Sequence, residues 1–200
     1  MKIDVTTIKP NYSYKEYSDL VKTLFEKGET TNGENSENML DYTKLNMHRS
    51  ARWDKRGKID QELALRIGGL KRPMTWLVIT EGWCGDAAQQ LPFFQKMTEF
   101  NDNVQLKLIL RDEHPEIMDK FLTNGSKSIP KVIFIDEANK EVLADWGSRP
   151  KKIQDQFLAK KNDPDYDQSK LKEEIHLFYA RDKGRALQEE ILELVKQFSN

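Results

Sequence analysis

The sequence predicts an α/β protein, with a central mixed sheet flanked by helices and further helices at both ends. Three observations lead there. Apolar residues keep a helical spacing through the first seventy positions, then change character at Thr75 to a strand, helix, strand, helix, strand, strand order. Gly68-Gly69 and Pro73 punctuate that change. Beyond Pro150 the helical spacing returns.

The elements follow in order. Tyr17, Leu20, Val21, Leu24 and Phe25 form a helical stripe from about Ser13, and the polar "EKGETTNGENSEN" after it reads as a loop. A second helix is expected through "MLDYTKLNMHRSARWDK" and a third through "DQELALRIGG", with no strand alternation in this region. "TWLVIT" is an apolar run suited to a buried strand, and residues 86–100 place Leu91, Phe94 and Met97 on one side of a helix. "VQLKLIL" alternates as a strand. "HPEIMDKFLTNG" reads as a helix with proline in its first turn and Gly125 as its stop. "KVIFID" and "EVLADWG" flank the turn "EANK", as an antiparallel hairpin would. Near the C-terminus Leu171, Ile175 and Phe178, then Leu187, Ile191, Leu194 and Val195, are spaced for helices, with Gly184 placed to divide them.

Composition narrows the function. Lys and Arg total 32 against 33 Asp and Glu, so net charge gives no general case for binding nucleic acid or an anionic membrane. No apolar run approaches the ~20 residues of a membrane span. The first residues lack a secretory pattern, and a lone cysteine cannot form an intrachain disulfide, so a cytoplasmic location is expected. No Cys/His cluster has metal-site spacing, and no cofactor is expected.

Chemistry concentrates in "TEGWCGDAAQQLP", where the single cysteine, Cys84, stands between a strand and a helix start. The order strand, Trp83-Cys84-Gly85, helix with Pro92, and later Ile129-Pro130 before a hairpin resembles the thioredoxin family. More narrowly, "TEGWCGDAAQ", "LILRDE", "MDKFLTNGSKSIPK" and "WGSRP" resemble a bacterial thioredoxin-like group with helical extensions. The resemblance implies a thioredoxin-like fold, in which residues 1–70 are a helical N-terminal extension. Residues 71–200 are then the thioredoxin-like domain with a C-terminal helical elaboration, the whole packed as one unit. It further implies a cis bond at Ile129-Pro130 facing Cys84. Cys84 is the expected catalytic residue, with Trp83, Gly85, Asp86, Ala87, Ile129 and Pro130 binding substrate. Three positions depart from the family. The second redox cysteine is Ala87, the intervening proline is Asp86, and the buried acid six residues before the cysteine is Val78. Dithiol reductase activity is therefore not expected.

A helix N-terminus stabilises a thiolate, so the pKa of Cys84 is expected below the free value of about 8.5, less so because Asp86 and Glu81 oppose it. One thiol can exchange with protein thiols or small thiols through a mixed disulfide, completed by an external thiol. The alternative is a non-catalytic module binding an extended peptide beside Pro130. "HRSARWDKRGK", residues 48–58, reads as a solvated basic helix face in preference to a nucleic-acid grip. Arg49 or Arg52 on it is placed to fold over the site and offset Asp86. Of the histidines, only His48 is considered as a partner for Cys84. Asp112-Glu113 reads as a pair capping the following helix.

Overall fold

A computed structural model describes residues 1–198 of the chain. Ser199 and Asn200, the last two positions of the expected 71–200 unit, lie outside the described residues. Strand β1 (Met74–Thr80) is buried at every position and stands second in a four-stranded sheet, ordered β2-β1-β3-β4. It pairs parallel with β2 (Val104–Leu110) and antiparallel with β3 (Lys131–Asp136), which pairs antiparallel with β4 (Glu141–Gly147). The sheet is mixed, and "EANK" closes its hairpin. One apolar run therefore becomes an interior strand because both its faces are covered.

Helix α1 (Tyr14–Glu26) starts at a capping box in which Ser13 and Glu16 satisfy each other's backbone. Helices α2 (Glu37–Arg56) and α3 (Gln61–Gly68) follow before the sheet, and α4 (Gly85–Thr98) connects β1 to β2. The first seventy residues hold no strand, as their lack of strand alternation suggested, but they pair with the sheet at two single positions. Lys2 bridges Glu141, and Tyr12 bridges Leu108 with reciprocal 2.8 Å bonds. These contacts cover parts of both sheet edges, groups an edge strand would otherwise leave open.

Helix α5 (Pro115–Met118) is one turn long and does not run to Gly125 as its pattern suggested. Asn124 and Gly125 both take positive φ, and Thr123 and Ser126 exchange backbone bonds of 2.9 and 3.0 Å around them. Asn-Gly turn chemistry prevails there over helical continuation. Asp112 and Glu113 do not cap α5 either. Its N-cap is His114, without a side-chain cap bond, and Asp112 pairs with Arg111.

After the sheet come α6 (Lys151–Lys161), α7 (Leu171–Asp182) and α8 (Arg185–Phe198). The chain turns between the last two through Lys183 at φ 57° and Gly184 at φ 80°. A Cβ on Gly184 would lie 2.6 Å from the Phe93 ring, so both backbone shape and close packing call for glycine.

The main core joins the sheet to helices from both ends of the chain. Trp76 meets Phe94 of α4 and Phe134 of β3 at centroid distances of 6.2 and 5.1 Å, and Phe134 meets Phe198 of α8 at 5.4 Å. Tyr17, Trp53, Leu63 and Ile67 belong to the same buried cluster. Ile153, Leu171, Ile175 and Tyr179 form a smaller one between α6 and α7. Among the described residues no helix is long and apolar enough to cross a membrane.

Candidate functional site

Cys84 is the N-cap residue of α4. Its Sγ accepts from the Ala87 backbone N–H at 3.5 Å and the thiol donates to the Ile129 carbonyl at 3.4 Å. The Ile129–Pro130 bond is cis, and both residues are buried. Cys84 itself is only 7% exposed.

Proline inside α4 leaves a carbonyl without its helical donor. Pro92 has no N–H for the Ala88 carbonyl, four residues back. The Ser50 hydroxyl of α2 supplies one at 3.3 Å. Trp53 adds a second link, its indole N–H donating to Gln89 Oε1 at 2.5 Å. The N-terminal extension thus grips the helix that presents Cys84. Asn46 of α2 reaches further, donating from Nδ2 to the Gly82 carbonyl at 3.2 Å while its Oδ1 receives Arg49 Nη1 at 2.9 Å.

From the other end of the chain, α7 and the segment after β4 close over the first turn of α4. Arg149 holds Asp86 Oδ2 through Nη2 at 2.7 Å and Nε at 2.9 Å. The Tyr179 hydroxyl donates to Asp86 Oδ1 at 2.7 Å and accepts from Gln90 Nε2 at 2.8 Å. The same Gln90 amide donates to the Ser148 carbonyl at 3.1 Å. His176 and Arg49 approach Gly85 from opposite helices. A Cβ at Gly85 would meet His176 Cε1 at 3.0 Å and Arg49 Nη1 at 3.4 Å. The small residue lets two helices close on the site.

This enclosure reverses the expected protonation of Cys84. Burial pushes its pKa up to about 12, and the Asp86 charge pushes the same way. The backbone N–H groups of Ala87 and Asp86 and the Arg149 guanidinium pull it down, but less. The helix end acts in the expected direction, and desolvation outweighs it. Glu81, fully buried, is raised by burial too, and accepts from Thr31 and from the Asp112 N–H, the latter at 3.2 Å.

Other sequence-derived assignments are redistributed. Arg49 comes to the site; Arg52 is exposed and stacks on Trp53 at 4.9 Å. His48 is exposed, and the histidine beside the site is His176. Its pKa is lowered to about 4 by burial first and then by Arg49, against the opposing pull of Asp86. Arg149, Tyr179 and His176 were not singled out from sequence; "WGSRP" held the one signal, an arginine inside a recognisable motif.

Two cavities flank the Trp83–Asp86 turn. One, of about 250 Å³, lies between α1 and α2 and is lined by Tyr17, Val21, Met47, Glu81, Cys84 and Leu91 among others. The second, of about 420 Å³, includes the charged Arg49, Arg111, Arg149, Lys172 and Asp86 with His176 and Trp83. Ala87, Ile129 and Pro130 line neither. Among the described residues no group of three or more His, Cys, Asp or Glu side chains is placed to hold a metal.

Residues 32–167 match a family model described as Thioredoxin. The chain is similar in structure to an HIV epitope-scaffold, at 17% identity and a TM-score of 0.54, covering 93% of this chain and 99% of that one. It is also similar to a protein of unknown function from Pseudomonas aeruginosa, at 18% identity and a TM-score of 0.51, covering 93% and 98% respectively. Identities this low bear on fold alone. No curated protein matches.

Proposed function

The chain belongs to the thioredoxin family, and on that footing we propose that it is a non-catalytic binding member, its former redox position converted into the wall of a small-ligand site. One observation carries this reading: the Cys84 thiol is buried and donates to the Ile129 carbonyl, a contact that uses it as a neutral hydrogen-bond donor. A nucleophilic cysteine works as an exposed thiolate. Here burial favours the protonated form, and no second cysteine exists to resolve a mixed disulfide.

The ligand is expected to be small. Ile129 and Pro130, where an extended peptide was considered, are buried, and the Ile129 carbonyl already accepts from Cys84. The larger flanking cavity, at about 420 Å³, is of the size that takes small molecules. Alkylation kinetics test the reading. Cys84 in the folded protein should react more slowly than free cysteine at pH 7.5, and denaturant should remove the protection. Fast labelling of the folded chain would overturn it.

A second reading, monothiol exchange with a small or protein thiol, is favoured by the position of Cys84 at the start of α4, with the Ala87 N–H directed at its sulfur. It requires the enclosing helices to open. A mixed disulfide formed on Cys84 with oxidised glutathione as fast as on an exposed cysteine would favour it.

A further inference from the structure

We propose that the cavity between α2 and α7, above the Trp83–Asp86 turn, is a binding site for a small phosphate monoester. This rests on the binding-member reading and names its ligand class. Four cationic side chains line the cavity against two acidic ones, Glu34 and Asp86. Two of the cations are already engaged. Arg149 pairs with Asp86, and Arg111 pairs with Asp112 while lying 4.9 Å from the Trp83 ring centroid. Arg49 and Lys172 differ. Among the described residues neither forms an ion pair, and their partners are neutral: Asn46 Oδ1 at 2.9 Å for Arg49 and the Tyr42 hydroxyl at 2.9 Å for Lys172.

A half-buried guanidinium without a carboxylate partner is an unusual arrangement, because a desolvated charge is costly unless it is paired. Burial disfavours the charged form of Arg49, and the Asp86 charge, outside ion-pair contact with it, offsets this only in part. Burial first, and then Arg49, Arg149 and Lys172, disfavour the protonated form of His176 against the opposing pull of Asp86, so three cations bear on this wall of the cavity. Buried nitrogens at Trp83 Nε1 and His176 Nδ1 also have no hydrogen-bond partner among the described residues.

These features select a dianion. Two cations outside any ion pair among the described residues match a phosphate monoester, which carries about −1.5 to −2 at neutral pH, better than a single carboxylate. At about 420 Å³ the cavity exceeds a bare phosphate and leaves room for an organic group beside Met39, Tyr42, Trp83 and Ile175. The Glu34 carboxylate at the rim disfavours ligands with further negative charge.

Isothermal titration with phenyl phosphate, on the full chain carrying Cys84→Ser, tests the site without thiol chemistry. Saturable one-to-one binding is expected, weakened about tenfold or more by Arg49→Gln and by Lys172→Gln, as loss of one charge-assisted contact implies. Arg52→Gln, on the exposed side of the same helix, should leave the affinity unchanged. His176 should titrate at higher pH in the complex when followed by NMR. Absence of saturable binding would overturn the proposal, as would equal losses in all three variants or equal affinity for benzoate. Alkylation of wild-type Cys84 reports on the thiol separately, so failure of the phosphate site and failure of the non-catalytic reading give different records.

Discussion

Arg149 and Asp86 stand 63 positions apart in sequence, yet the guanidinium grips one carboxylate oxygen through two nitrogens, at 2.7 and 2.9 Å. That contact ties the segment after β4 to the first turn of α4, in the place where the family carries a proline. Asp86 therefore serves two roles. It anchors the C-terminal helices through Arg149 and Tyr179, and its charge helps keep the neighbouring thiol protonated.

Asp86→Asn should separate these roles. Removing the negative charge lowers the Cys84 pKa, so alkylation at a fixed pH should accelerate. The same change leaves Arg149 without its counter-charge in a mostly buried setting, which should cost on the order of 3 kcal/mol in stability. Alkylation rate and urea denaturation, read on one variant, should move in these opposite senses. Faster labelling without destabilisation would mean the ion pair does not hold the extension.

His176 predicts an acid response. Its folded pKa, about 4, lies below the ordinary histidine value, so the folded state binds the proton less readily than the unfolded chain. Its contribution to stability is fully present above about 6.5, the unfolded value, and is lost as pH falls toward 4. Denaturation midpoints should drop across that window, and His176→Gln should flatten the drop. A wild-type profile matched by the variant would remove His176 from the account.

Ser50 and Pro92 should be coupled. Ser50→Ala removes the donor to the Ala88 carbonyl and should cost about 1 kcal/mol. In a Pro92→Ala background the restored backbone N–H can supply that bond, so the serine should matter much less. A double-mutant cycle by chemical denaturation measures the difference. Additive losses would show that Ser50 does not complete the helix.

The fold was legible where one local pattern governed. "TWLVIT" could be read as a buried strand and "KVIFID" with "EVLADWG" as a hairpin because strand length, β-branched content and a turn occur together. The N-terminal bridges of Lys2 and Tyr12 were not legible, since single-residue pairings leave no periodicity. The α5 stop was misread because Asn124-Gly125 can end a helix or form its own tight turn. At the site, the sequence located Cys84 and brought Arg49 forward, but it gave the wrong sign for the thiol. A helix end is local and visible in sequence. Desolvation is tertiary, set by elements packed over the site from far along the chain, such as α2 and the segment holding Arg149, and no local pattern announces it.

A non-catalytic role requires Cys84 to be a neutral, buried donor, and the pKa of that single thiol tests this most directly. Cysteine labelled with ¹³C at Cβ gives one resonance in this chain, whose shift follows ionisation of the sulfur. Because the folded pKa is raised above the unfolded value, the buried thiol's contribution to stability is present below about 8.5 and is lost as pH rises toward about 12. The resonance should therefore stay in its thiol position through pH 9 in the folded protein and move at lower pH once the chain is unfolded. A folded-state midpoint at or below 7 would contradict the account and return Cys84 to the thiolate chemistry of its family.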